Sequence, residues 1–137
     1  EESIAQGAVA VTGCGIVPGP GAFYPPSIID HVVPGVRAWS EELFGPVASI
    51  IRVQDEAEAV RVANDSEFGL GGSVWTRDSA RGERVARQLE CGCAFVNGLV
   101  KSDPRLPFGG VKNSGYGREL SRLGMREFLN AKTIWIR

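Results

Sequence analysis

At 137 residues the chain has the length of about one domain, with 43% hydrophobic and 23% charged residues, and no apolar run approaches the roughly 18 residues that a membrane span needs. Fifteen Lys plus Arg against sixteen Asp plus Glu leave a net charge of -1, which removes the electrostatic footprint of a nucleic-acid or membrane-surface binder. Three cysteines, Cys14, Cys91 and Cys93, make no disulfide framework and fit a reducing compartment, the cytoplasm by default; the start at Glu1 shows no targeting signal, so either a leader was removed or the chain is a piece of something longer.

In chain order, the first eight residues read as the tail of a helix, and Ser3 has too few residues after it, before Gly7, to cap one of its own. Ala8 to Thr12 is a short buried strand that runs into glycine-rich loop sequence at Gly13 to Gly21. Ser27 to Val33 and Pro46 to Val53 are two further β-branched apolar runs, the second introduced by Gly45-Pro46. Asp55 with Glu58 three residues on makes a capping-box-like start for a helix, with Ala57, Val60 and Ala63 on one face and Gly69 beyond its end. Gly72 to Thr76 is a strand, and Asp78 opens a second helix with Val85, Ala86 and Leu89 inward until Gly92 stops it. Ala94 to Val96 is the next strand. A long loop from Asn97 to Gly117 follows, then a helical stretch from Arg118 to Leu129 interrupted at Gly124, and a last strand at Lys132 to Ile136. The order β-α-β-α-β predicts an α/β fold with parallel strand pairs. The last strand, alternating Thr133, Trp135 and Arg137 against Ile134 and Ile136, reads either as an ordinary edge or as one that pairs with another chain.

No self-contained catalytic set is present. The one histidine, His31, sits in a strand-like run that gives it a structural or surface role. Cys91-Gly92-Cys93 supplies two of the four ligands that zinc wants and reads as small buried thiols at a helix stop. Gly13-x-Gly15 and Gly115-x-Gly117 each fall short of a nucleotide fingerprint, the second because Lys112 and Ser114 stand in the wrong order for a P-loop.

Two constellations are unusual for a merely structural domain. In Glu41-Glu42-Leu43-Phe44-Gly45-Pro46, a carboxylate on a tight turn can accept both hydroxyls of a ribose, and an aromatic two residues on can face a planar ring. In Pro107-Phe108-Gly109-Gly110-Val111-Lys112-Asn113-Ser114-Gly115-Tyr116-Gly117-Arg118-Glu119, glycine density lets the backbone approach a ligand or another chain and puts Phe108 at a loop tip.

These two stretches, with Phe-Gly-Leu at 68–70 and Val-Asn-Gly at 96–98, resemble the C-terminal part of the aldehyde dehydrogenase superfamily in order and spacing over nearly the whole chain. The resemblance implies a partial catalytic domain, mostly parallel sheet with flanking helices: residues 1–131 from the catalytic and cofactor domains and 132–137 as an oligomerisation strand building a dimer or tetramer. It implies an enzyme several times longer, in which a thiolate adds to an aldehyde, hydride passes to NAD or NADP, and water hydrolyses the thioester. None of the three cysteines falls at the family's nucleophile position, so the nucleophile and general base would lie upstream and this chain alone would be inactive. On matched positions, Glu42 would bind the nicotinamide ribose and Phe44 would pack near the nicotinamide. Phe108 would line the aldehyde tunnel, with core packing as its alternative. Glu119 would relay protons, or act only as a first-turn glutamate favoured by a helix dipole.

The segment Asn97 to Pro107 is similar to the bacterial succinate-semialdehyde dehydrogenase branch, in which a serine at the Ser102 position helps bind the distal carboxylate; Arg105 nearby reads as a solvated charge. Ser27, where many members have threonine, is a harmless departure, and the resemblance leaves Cys91 and Cys93 unexplained. Two other readings stand beside this one. A standalone α/β interaction module would pair through the terminal strand, and an anion-binding protein would use the loop at 109–117.

Overall fold

Short strands separated by glycine and proline cannot bury much by themselves, and the chain answers this with small local sheets. The computed structural model describes all 137 residues, which form two units, Glu1–Glu56 and Ala57–Arg137.

The first unit contains α1 (Glu2–Ala5), β1 (Val9–Thr12), β2 (Ser27–Asp30), α2 (Arg37–Ser40) and β3 (Val47–Ser49). The three strands make one sheet in the order β1-β2-β3, with β1 antiparallel and β3 parallel to β2. Its core is Ala8, Ile29, Val32, Val36 and Ala38, with Cys14, Trp39, Val47 and Ile51 packed against it. Two predicted strands are shorter than their apolar runs, because β2 ends at Asp30, before His31 turns to φ 57°, and β3 ends at Ser49. The expectation of a buried first strand holds only at Ala8; all four residues of β1 are exposed, since this edge strand has no layer of the chain over either face. Ser3 does act as a cap, but for α2. Its Oγ accepts from Ala38 N at 3.2 Å and Gln6 Oε1 accepts from Arg37 N at 2.8 Å, so the first turn of α2 is satisfied by side chains more than thirty residues upstream.

The second unit contains most of α3 (Glu56–Asn64), then β4 (Phe68–Gly69), β5 (Gly71–Val74), α4 (Ser79–Ala86), β6 (Cys93–Val96), β7 (Val111–Lys112) and α5 (Ser121–Arg126). β5 and β6 pair in parallel from Gly71 opposite Cys93 to Val74 opposite Val96, connected through α4, as parallel neighbours require a crossover. Asp78 caps α4 by accepting from Arg81 N at 3.0 Å. Gly82, buried in α4, faces Val96 so closely that a Cβ there would lie 2.5 Å from its Cγ1. β4 and β7 form a separate antiparallel pair. The half-buried residues of α3 are Glu58, Ala59, Val60, Val62 and Asn64, so its inner face is rotated away from Ala57 and Ala63, both exposed.

Two expectations for the end of the chain change. Gly124 lies inside α5 and does not interrupt it; it is buried, and a Cβ there would stand 2.5 Å from the carbonyl carbon of Glu119. Residues 131–137, in which a strand was expected at Lys132 to Ile136, form no ladder within the chain, because no strand of either unit lies beside them; Ile134, Trp135 and Ile136 are 75%, 83% and 89% exposed. The parallel pairs belong to an α/β fold as predicted, in two of the three small sheets.

The total accessible surface is 10599 Å². Two wholly separate globules dividing 14.7 kDa in proportion to the unit lengths would expose roughly 8000 Å². Large apolar side chains are among the exposed residues, including Val9 and Val11 on β1, Phe44, Trp75, Met125, Phe128 and Leu129. No helix is long and apolar enough to cross a membrane.

The cap on α4 has a measurable share in the second unit. Asp78→Ala should lower its unfolding free energy by about 1 kcal/mol, and Asp78→Ser by only a few tenths, read from urea denaturation midpoints.

Candidate active site

In the first unit, Glu42 and Phe44 stand on the loop between α2 and β3. The two adjacent acids divide their roles. Glu41 accepts from Arg37 Nε at 2.6 Å, and the same guanidinium also pairs with Glu2, so Glu41 is committed to holding α2 and Glu42 projects from the loop as an exposed carboxylate. Phe44 is 91% exposed and has φ 49°, a left-handed conformation that a bulky side chain adopts only where the surrounding structure imposes it. Beside the loop runs an open groove of about 500 Å³, lined by Thr12, Pro26, Ile28, Gly45, Pro46 and Val47. Ser27 fixes the wall of this groove, accepting from Cys14 N and donating to Pro25 O, both at 2.8 Å. Asp30, with its side chain 8% exposed, is held by Arg52, whose hydrogen bonds lower the carboxyl pKa further than the His31 N–H does. His31 is on the surface.

In the second unit the segment 107–119 closes on itself. Phe108 N donates to Glu119 O at 2.9 Å and Glu119 N to Phe108 O at 2.8 Å, so the structure brings together two residues that the sequence places eleven positions apart. Phe108 is half-buried and Glu119 exposed. Arg118 Nη1 donates to Gly110 O and Gly117 O at 2.9 and 2.6 Å, and Ser114 Oγ accepts from Gly69 N at 3.0 Å, which ties the segment to β4. After Glu119 the chain passes through two left-handed non-glycine residues, Leu120 at φ 62° and Ser121 at φ 53°, a strained pair that sequence gives no sign of. Ser121 N donates to Pro104 O at 3.0 Å, so this turn also supports the loop that carries Ser102.

Ser102 is exposed and precedes a clasp in which Asp103 accepts from Arg105 N, Nε and Nη2 at 2.9, 2.9 and 2.6 Å. Arg105 is therefore a solvated charge, its side chain 86% exposed, that also braces the loop through Asp103. Its hydrogen bonds hold the Asp103 carboxyl down at about 2. Burial pushes the Cys91 thiol up, the opposite of what a thiolate nucleophile needs. Glu42 and Phe44 belong to the first unit, and Ser102, Phe108 and Glu119 to the second.

Residues 1–134 match the model of the aldehyde dehydrogenase family. The succinate semialdehyde dehydrogenase [NAD(P)+] Sad of Escherichia coli is 47% identical over 135 residues, which cover 98% of this chain and 29% of that protein. Among solved structures, succinic semialdehyde dehydrogenase from Streptococcus pyogenes in complex with NADP+ superposes with a TM-score of 0.94 at 42% identity, over 98% of this chain and 30% of that one. A salicylaldehyde dehydrogenase from Pseudomonas putida G7, complexed with salicylaldehyde, does so with a TM-score of 0.85 at 44% identity, over 93% and 26%. The chain belongs to the aldehyde dehydrogenase family. It spans about 30% of the length of these relatives.

The clasp at Asp103 can be read directly. Its folded pKa of about 2 lies below the ordinary 3.8, so the pair is fully formed above about pH 4 and lost as pH falls through about 2. A carboxyl NMR titration should give that midpoint, and Arg105→Gln should return it toward the ordinary value.

Proposed function

We propose that this chain supplies part of the cofactor site and part of the aldehyde site of an NAD- or NADP-dependent dehydrogenase that oxidises succinate semialdehyde to succinate. The observation that carries the reading is the mutual main-chain clamp of Phe108 and Glu119, in a chain 47% identical to a relative named for that activity.

The donor set suits a dinucleotide. Glu42, unpaired with the neighbouring Arg37, can accept both hydroxyls of the nicotinamide ribose, and Phe44 offers an exposed ring to a planar heterocycle. The cofactor, when bound, accepts hydride. Glu42 and Phe44 orient it, and Phe108 walls the aldehyde. Ser102 Oγ donates to the distal carboxylate, with its loop stiffened by Asp103 and Arg105. Glu119, exposed beside Phe108, moves a proton between the site and solvent. The nucleophilic thiol and the general base come from residues outside this chain, and the chain alone is inactive. The uncovered apolar faces support this division, since they are suited to burial under further polypeptide. Residues 132–137 supply a strand to a neighbouring subunit in a dimer or tetramer, which suits their exposed Ile134, Trp135 and Ile136.

The test is an assay of the longer polypeptide that contains these residues, with succinate semialdehyde and each cofactor, beside the 137-residue chain. Reduction of the cofactor by the longer protein alone is expected; turnover by the short chain, or rejection of succinate semialdehyde by the long one, overturns the corresponding claim. In the active protein Glu42→Gln should slow hydride transfer and raise the cofactor KM by about tenfold, the loss of one hydrogen bond to a charged group. An unchanged hydride-transfer rate and KM would remove Glu42 from the site.

A further inference from the structure

Cys91-Gly92-Cys93 is the motif for which neither the resemblance nor the proposed chemistry has a use, and the structure puts it directly against the Phe108 loop. A Cβ on Gly92 would lie 1.7 Å from Gly109 O, 2.7 Å from Gly109 C and 3.1 Å from Gly110 Cα. No side chain fits there without moving that peptide. Cys93 Sγ lies 3.8 Å from Gly109 O and 4.0 Å from Pro107 O, the two carbonyls that bracket Phe108. From the other direction, a Cβ on Gly109 would meet Gly117 O at 2.8 Å, and both main-chain polar groups of Phe108 are taken by Glu119.

We propose that Gly92 and Cys93 are positioning residues that set the place of the Phe108 ring and thereby the fit of the aldehyde. The proposal rests on the reading of Phe108 as the wall of the aldehyde site. The physical basis is the absence of slack: the backbone on either side of Phe108 lies between β6 and the Gly117–Glu119 segment, so close to both that a Cβ added at Gly92 or at Gly109 would overlap main-chain oxygen. A thiol fills the space under the two carbonyls and offers one of them a weak donor. A hydroxyl at the same position keeps the donor and is slightly smaller, whereas a branched aliphatic removes the donor and adds bulk. Neither residue touches the substrate, so their effect has to appear through Phe108. That separates them from a merely structural role, which would lower activity through loss of folded protein at unchanged KM.

The experiment uses the complete polypeptide that carries these residues, with para-fluorophenylalanine at position 108. Gly92→Ala and Cys93→Val should shift the fluorine resonance and raise the aldehyde KM by about tenfold, the cost of a small misfit in an apolar pocket, while kcat and the cofactor KM stay within about twofold. Cys93→Ser should restore both the resonance and the KM. If Gly92→Ala does not fold, the Cys93→Val and Cys93→Ser pair decides. A fluorine resonance unmoved by Cys93→Val overturns the proposal, as does an equal fall in kcat for both cysteine variants. Should the wild-type polypeptide not oxidise the aldehyde, the functional reading fails separately, and the resonance still decides whether these residues place Phe108.

Discussion

The second unit depends on backbone meeting backbone where no side chain intervenes. Gly92 faces the Gly109 peptide, Gly69 faces Val111 and the carbonyl of Glu90, Gly110 faces Ser114, and Gly124 faces Glu119. Each contact is closer than a Cβ permits, so glycine at these points is a packing requirement and not a concession to flexibility. Once the strands and the 107–124 segment approach this closely, the polar main chain has to be satisfied at short range. It is, by Phe108 with Glu119, by Gly69 with Ser114, and by Arg118 with the carbonyls of Gly110 and Gly117. The result is that Phe108, expected at a loop tip, stands half-buried in the pair that closes the base of the loop.

The first unit reaches order by other means. Its core is five small or β-branched residues, and side-chain hydrogen bonds reach across long stretches to supplement it. Ser3 and Gln6 satisfy the start of α2, Ser27 holds Cys14 and Pro25, and Arg52 holds the nearly buried Asp30. These polar ties leave Glu42 and Phe44 on an outward loop with their chemistry uncommitted.

What could be read from sequence was what local rules control. Asp78 before a helix located the start of α4 and of the crossover between the parallel strands around it, because caps act over a few residues; the stop expected at Gly92 falls instead at Ala86, with Arg87 as the C-cap. The motif at 107–119 likewise marked the segment that the structure folds back on itself. Long-range facts escaped. Ser3 caps a helix that begins at Arg37, and no window around either residue contains that relation. Gly124 looked like a helix break because a sequence does not show what lies 2.5 Å from an absent Cβ. The apolar run at Val9–Thr12 correctly reported a strand but not whether anything in this chain would cover it. The positive φ of Phe44, Leu120 and Ser121 is imposed by neighbours, and none of these residue types announces it.

The ion pairs are almost all made by arginine: Arg37, Arg52, Arg61, Arg87 and Arg105 against the single pair of Lys112 with Glu90. The chain has only three lysines, Lys101, Lys112 and Lys132, and the Lys112 ammonium is occupied by Glu90 and the Asn64 carbonyl. A carbonyl compound condenses with primary amines to form imines, whereas a guanidinium stays protonated and is a poor nucleophile. A surface whose positive charge is carried by arginine thus offers an aldehyde few side chains with which to react by accident.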